Sequence, residues 1–173
     1  MSLGIDFNSL SLQDTLDLAI AVEEEARERY LEFADQLAKH HTGEAADFFK
    51  KMAGIERTHA ERLSERRRAM FGDTKPTADR SLIVDVEAPE YGEIRAFMKV
   101  HDALDVAFQS EVKAYDFYDG ALASVEDEDV RSLFEFLREQ EVRHQEMIRD
   151  FKARVPKDPD VDPDAYVDEP HAQ

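Results

Sequence analysis

Residues 16–30 read LDLAIAVEEEARERY, and residues 104–118 read LDVAFQSEVKAYDFY. At a shift of 88 positions Leu, Asp, Ala, Glu, Ala and Tyr coincide. A second pair accompanies the first: FFKKMAGIERTH at 48–59 and LFEFLREQEVRH at 133–144, related by a shift of 85. The chain thus supplies twice, in the same order, a Glu and then a Glu-x-x-His. The first set is Glu23, Glu56 and His59; the second is Glu111, Glu141 and His144. Glu and His three residues apart on a helix share one face. Two helices with a lone Glu and two with Glu-x-x-His can together hold two metal ions inside a four-helix bundle. One Glu-x-x-His is a weak signal in so acidic a chain, and the order and the repeat give it weight.

Outward from these stretches the chain reads as helix. Ser11-x-x-Asp14 is an N-cap with an acid in the first turn. From there to about His40, Leu16, Ala19, Ile20, Val22, Ala26, Tyr30, Phe33 and Leu37 recur at three- and four-residue steps. Thr42-Gly43 reads as a break and a cap. The second helix runs from about Glu44 to Met70, with Phe48, Phe49, Met52, Ile55, His59 and Leu63 inward, and Gly72 stops it. Residues 72–91 hold Pro76, Pro89 and the run Leu82-Ile83-Val84. They read as one extended crossover, with a short strand or lid as the alternative. Residues 92–124 read as helix with a break near His101-Asp102. The acidic turn from Ser124 to Asp129 opens the fourth helix, which Pro156 ends. Three segments result: an arm at 1–10, a bundle at 11–155, and an acidic Pro- and Asp-rich tail at 156–173, read as disordered or surface-draped.

In an antiparallel hairpin, residues equally far from the turn come level. Glu23 and Glu56 have their midpoint just before Thr42-Gly43, and Glu111 and Glu141 have theirs inside the acidic turn. Each lone Glu therefore faces its Glu-x-x-His near mid-bundle. The expected class is all-α: a four-helix bundle of two antiparallel hairpins joined by one long crossover.

Composition narrows the function. At 173 residues the chain is long enough for one domain with a sizeable core. A net charge of −18 argues against nucleic acid and anionic membrane as partners. It also describes a plain acidic surface. The absence of Cys excludes disulfides, thiolate ligands and iron–sulfur clusters. No run approaches about 18 apolar residues, so no membrane span is expected. The first residues, MSLGIDFNSLSLQD, do not read as a signal peptide, and a cytoplasmic location is expected.

Four carboxylates and two imidazoles suit iron or manganese, and zinc also fits. Without metal, such groups in an apolar core must take up protons or admit water; a metal turns that cost into binding energy. The plainer reading, solvated surface acids, needs four Glu and two His to fall level and inward by accident. Tyr30 and Tyr118 lie seven residues from Glu23 and Glu111, nearly two helical turns. They read either as hydrogen-bond donors to a ligand carboxylate or as core aromatics. Ala26 and Ala114 leave space one turn beyond the lone Glu residues. His40 and His41 read as surface residues at a turn, and His101 as capping or solvent-facing. Arg66-Arg67-Arg68 reads as a helix end pairing with nearby Glu. Phe48, Phe49, Phe134 and Phe136 read as core or dimer packing.

Taken together, these motifs resemble the rubrerythrin-like branch of the ferritin-like di-iron superfamily over residues 12–155. The resemblance implies two iron ions, ligated by Glu23, Glu56, His59, Glu111, Glu141 and His144, which would also carry catalysis. Glu56 and Glu141 would bridge the ions. Family activities include peroxide reduction, ferroxidase action and iron storage, and a homodimer is the family expectation. The chain departs from the pattern in three ways. It has no Cys-rich rubredoxin segment, so turnover needs an external reductant protein. The extra Glu that rubrerythrins place one turn after the third-helix ligand is Ala114 here. The haem-ligating Met of bacterioferritins is replaced by Arg57, so no haem is expected. Two readings stand: a non-haem di-iron oxidoreductase, or a non-catalytic iron-binding or storage subunit. A bundle acting only through protein contacts is the third and weakest.

Overall fold

A computed structural model describes residues 6–39, 43–77, 80–83, 86–90, 92–93 and 98–156. Four long helices account for most of them: α1 (Leu12–Lys39), α2 (Gly43–Phe71), α3 (Val100–Leu122) and α4 (Glu128–Arg154). α1 packs on α2 and α3 on α4 as two hairpins, with lighter α2–α3 and α1–α4 contacts between them. No strand occurs among the described residues.

Local chemistry sets the helix ends. Ser11 and Asp14 form a reciprocal cap: Asp14 N donates to Ser11 Oγ at 3.1 Å, and Ser11 N donates to Asp14 Oδ2 at 3.0 Å. Gly72 closes α2 at φ 67°, a left-handed conformation that favours glycine, and its N–H reaches the Arg68 carbonyl at 2.9 Å. The Asp127 side chain caps α4, accepting from Asp129 N at 3.0 Å and Val130 N at 2.9 Å.

Several expectations need correction. The third helix begins at Val100 rather than near residue 92, because Lys99 is extended (φ −75°, ψ 157°) and Asp102 accepts from its N–H at 3.4 Å. The expected break near His101-Asp102 is thus the start of the helix. Gly43 is the first residue of α2 rather than part of a break, and Thr42, His40 and His41 lie outside the described residues. Arg67 pairs with Asp17 of α1, not with a Glu, because the end of α2 packs against the start of α1. Of the two alternatives for the phenylalanines, core packing holds for buried Phe48, Phe49 and Phe134, and it does not hold for Phe136, which is 48% exposed. His101 caps as expected, though at the end of α4 rather than on its own helix: its Nε2 lies 3.2 Å from the carbonyl of Val155, the C-cap of α4.

Residues 7–9 of the N-terminal arm form a 3-10 turn, and Phe7 packs edge-on against Phe117 and Phe134, with ring centroids 5.6 and 5.8 Å away. Residues 1–5 and the tail from 157 lie outside the described residues.

The crossover from α2 to α3 contains a 3-10 turn at Arg80–Ile83. Val84 of the expected apolar run lies outside the described residues. Its start is tied to α1, where Thr77 N donates to Asp17 Oδ2 at 3.0 Å. Ile83 and Val86 are buried against Leu18, Ala21 and Val22 of α1. Its far end is held by Lys113 Nζ, which donates to the Ala88 carbonyl at 3.0 Å, and by Arg29, which donates to the Pro89 carbonyl.

Two large apolar clusters fill the bundle interior among the described residues. One gathers Tyr30, Phe33, Leu37, Phe49, Met52, Leu104 and Ile148. The other gathers Leu16, Leu63, Tyr118, Leu133, Phe134 and Leu137. Ala26 and Ala114, both fully buried, fall one in each cluster.

Candidate metal centre

The two clusters are interrupted by a layer of buried charge. Glu23, Glu56, Glu111 and Glu141 are each at most 1% exposed, and His144 is 5% exposed. Four carboxylates in an apolar interior are costly unless paired, protonated or bound to a cation.

Helix periodicity aims each member inward. Glu56 and His59 share a face of α2, where His59 Nδ1 lies 3.5 Å from Glu56 Oε2 and 3.5 Å from Glu23 Oε2 of α1. The second hairpin repeats this. His144 Nδ1 donates to Glu111 Oε2 of α3 at 2.8 Å and lies 3.5 Å from Glu141 Oε2. The two imidazoles stack across the hairpins at 4.9 Å between centroids and an interplanar angle of 2°. All six side chains expected from the sequence therefore meet at one depth.

The tyrosines behave differently from each other. Tyr30 donates to Glu111 Oε1 at 2.9 Å, reaching across to α3 instead of to Glu23 on its own helix. Tyr118 is buried, and its hydroxyl has no hydrogen-bond partner.

One participant was not expected. Glu87, on the crossover, is 1% exposed, and its carboxylate joins Glu56, Glu111 and His144 in a group whose ligand atoms lie within 4.8 Å of one another. A second such group is Glu56, His59 and His144. The only sequence signal for Glu87 was an acid among Val86, Ala88 and Pro89. Asp85 offered the same signal, and a segment without helical period cannot say which acid turns inward.

The electrostatics follow from burial and crowding. Burial pushes the carboxyls of Glu56, Glu87 and Glu141 well above their ordinary range, and neighbouring carboxylates push the same way. Burial presses on Glu111 too, but the hydrogen bond and charge of His144, with the Tyr30 bond, outweigh it and hold Glu111 below its ordinary value. Burial disfavours the His144 imidazolium, yet Glu111 outweighs that and lifts it to about 9. Both buried phenols are raised by desolvation and by the carboxylates around them.

The donor set fits metal cations. Glu23 Oε2, His59 Nδ1 and both oxygens of Glu56, Glu87 and Glu141 are buried without a hydrogen-bond partner. Buried polar atoms are ordinarily satisfied, and so many at one place mark a cluster built to meet something else. A cleft of about 150 Å³ reaches Glu23 and His59 past Arg62, Arg66, Phe136 and Gln140.

A family model described as rubrerythrin matches residues 14–152. Among solved structures, a conserved protein of uncharacterised function from Magnetospirillum magnetotacticum is 26% identical with a TM-score of 0.68, over 87% of this chain and 99% of that one. A hypothetical protein from Pyrococcus furiosus is 20% identical with a TM-score of 0.53, over 87% of this chain and 95% of its own. A Thermotoga maritima chain assigned to the ferritin-like diiron-carboxylate proteins is 24% identical with a TM-score of 0.52, over 84% of this chain and 96% of its own. The last two show the fold alone. No curated protein matches. The chain belongs to the rubrerythrin family, and its 173 residues contain no Cys.

Proposed function

We propose that the buried polar layer holds two iron ions, and that the protein is a non-haem di-iron oxidoreductase. It would oxidise Fe(II) with dioxygen or reduce hydrogen peroxide with electrons from an external donor. The observation that carries this reading is the convergence of Glu23, Glu56, His59, Glu111, Glu141 and His144, most of them buried with unsatisfied ligand atoms. When bound, a pair of iron ions supplies two electrons to a small oxidant. Manganese or zinc would suit the same donors.

The chain's own residues do the rest. By analogy with the family, Glu56 and Glu141, one from each Glu-x-x-His, would be among the carboxylates that hold the ions. Tyr30 fixes the rotamer of Glu111 through its 2.9 Å hydrogen bond. The apolar clusters on either side exclude water, which strengthens every charge interaction in the layer. The cleft at His59 admits a molecule of oxidant size, and Arg62 and Arg66 at its mouth offset the acidity of the surface. No helix among the described residues is long and apolar enough to cross a membrane. Within this reading the protein is a cytoplasmic homodimer served by an external reductant protein.

Within these 173 residues there is no Cys to carry electrons to the site, which favours one second reading: an iron-binding or storage subunit without turnover. Loading the apo-protein with Fe(II) under anaerobic conditions and then adding dioxygen or hydrogen peroxide separates the two. Rapid oxidation of two irons per chain, renewed each time reductant is supplied, is the expected result; a slow single round with iron retained supports storage. Glu56→Ala and Glu141→Ala should each abolish tight two-metal binding. Unchanged stoichiometry in both variants overturns the site as drawn.

A further inference from the structure

We propose that Glu87, delivered by the crossover, is a further carboxylate ligand of the metal pair, so that the connection between the two hairpins takes part in the site. The inference rests on the metal-centre reading above and deepens it.

Three observations carry it. First, Glu87 is 1% exposed, and neither of its carboxylate oxygens has a hydrogen-bond partner. A fully buried acid without a partner is among the costliest groups a fold can contain. Second, its carboxylate points at the other donors: one oxygen shares a group with Glu56, Glu111 and His144 whose atoms all lie within 4.8 Å of one another. Third, the backbone that presents it is fastened on both sides. The two following carbonyls, of Ala88 and Pro89, are gripped by Lys113 of α3 and Arg29 of α1. The preceding residue Val86, with Ile83, is buried against α1. Both residues that flank Glu87, Val86 and Ala88, are themselves buried. An acid held so firmly among donors is placed like a ligand, since a metal site needs its donors positioned by rigid surroundings.

The chemistry is consistent with a hard cation. A fifth carboxylate adds one negative charge and up to two oxygen donors, which favours divalent and trivalent ions over a neutral occupant. An ion bound by Glu87 would add one more tie between the crossover and the bundle.

Cobalt(II) is the probe, added to the full-length apo-protein, its visible absorption reporting coordination number. Wild type should take up two ions. Glu87→Gln, which keeps the shape and removes the charge, should bind at least one ion tenfold or more weakly and with a changed visible spectrum. Amide exchange across residues 86–90 should slow on metal addition in wild type and not in Glu87→Gln. Glu87→Asp, which keeps the charge on a shorter arm, should fall between the two and covers the case of a poorly folded Gln variant. If wild type binds two ions and Glu87→Gln binds both with unchanged affinity and spectrum, Glu87 is only a buried acid and the inference fails alone. If wild type binds no pair, the metal-centre reading fails and takes this inference with it.

Discussion

The two hairpins carry one motif, yet they hold it differently. In α3–α4, Glu111 receives hydrogen bonds from both Tyr30 and His144, at 2.9 and 2.8 Å, and the His144 side chain is 7% exposed. In α1–α2, His59 stays 3.5 Å from both Glu23 and Glu56, and its side chain is 14% exposed at the cleft. Tyr118, the counterpart of Tyr30, has no hydrogen-bond partner. The repeat is nearly symmetrical in sequence, but the crossover is not: it brings Glu87 to Glu56, Glu111 and His144. One half-site is closed and pre-organised, and the other faces the way in. On the proposed reading, a site that admits a small molecule and holds metal ions would need both properties, and a repeated motif with one asymmetric strap supplies them.

The sharpest way to break this comparison is to remove each imidazole in turn from the metal-free protein. His144→Ala strips a buried pair of one partner and should cost roughly 3 kcal/mol in urea unfolding at neutral pH. His59→Ala removes a ring without a hydrogen bond and should cost no more than about 1 kcal/mol. Equal losses would show that the closed and open halves are equivalent.

A second test is pH. Glu56, Glu87 and Glu141 are raised in the folded protein, so they favour the fold below the unfolded carboxyl value of about 4.3 and progressively disfavour it as pH rises. His144, lifted to about 9, acts in the same direction: its contribution is complete below its unfolded value and is lost as pH rises through about 9. Glu111 is lowered and opposes them, contributing above the unfolded value and losing that only as pH falls through its folded value. The metal-free protein should therefore lose stability as pH climbs from about 5 to 8, by up to about 1.4 kcal/mol per pH unit for each extra proton on the folded state. Cobalt(II) should flatten the slope. A urea midpoint that ignores pH without metal would contradict a cluster of buried acids.

The smallest effect separates the tyrosines. Tyr30→Phe deletes a hydrogen bond to a carboxylate and should cost about 1.5 kcal/mol in the metal-free protein. Tyr118→Phe removes a hydroxyl that has no partner and should be close to neutral. Thermal or urea unfolding of the two variants side by side decides it, and matching losses would mean that Tyr118 has a partner of its own.

Much of this was legible in the chain because it is local. The Ser11–Asp14 cap, the Gly72 stop and the Asp127 turn are signals of a few residues, and each places a helix end. The third helix was read too long because the residues before it lacked a strong breaker, and only the extended Lys99 with its Asp102 cap marks the start. Arg67 was read as a helix-end charge. Its partner Asp17 is 50 residues away, and nothing in either neighbourhood announces the pair.

The sequence by itself determined four amphipathic helices and the level at which two Glu and two Glu-x-x-His motifs meet. A helix has fixed rise and turn, so spacing converts directly into geometry. The tertiary structure alone decided that Tyr30 serves Glu111 across 81 positions, that the His59 side is open, and that Glu87 enters the cluster. Those outcomes depend on how two hairpins pack and on the path of a segment without period. There no repeat links position in the chain to direction in space.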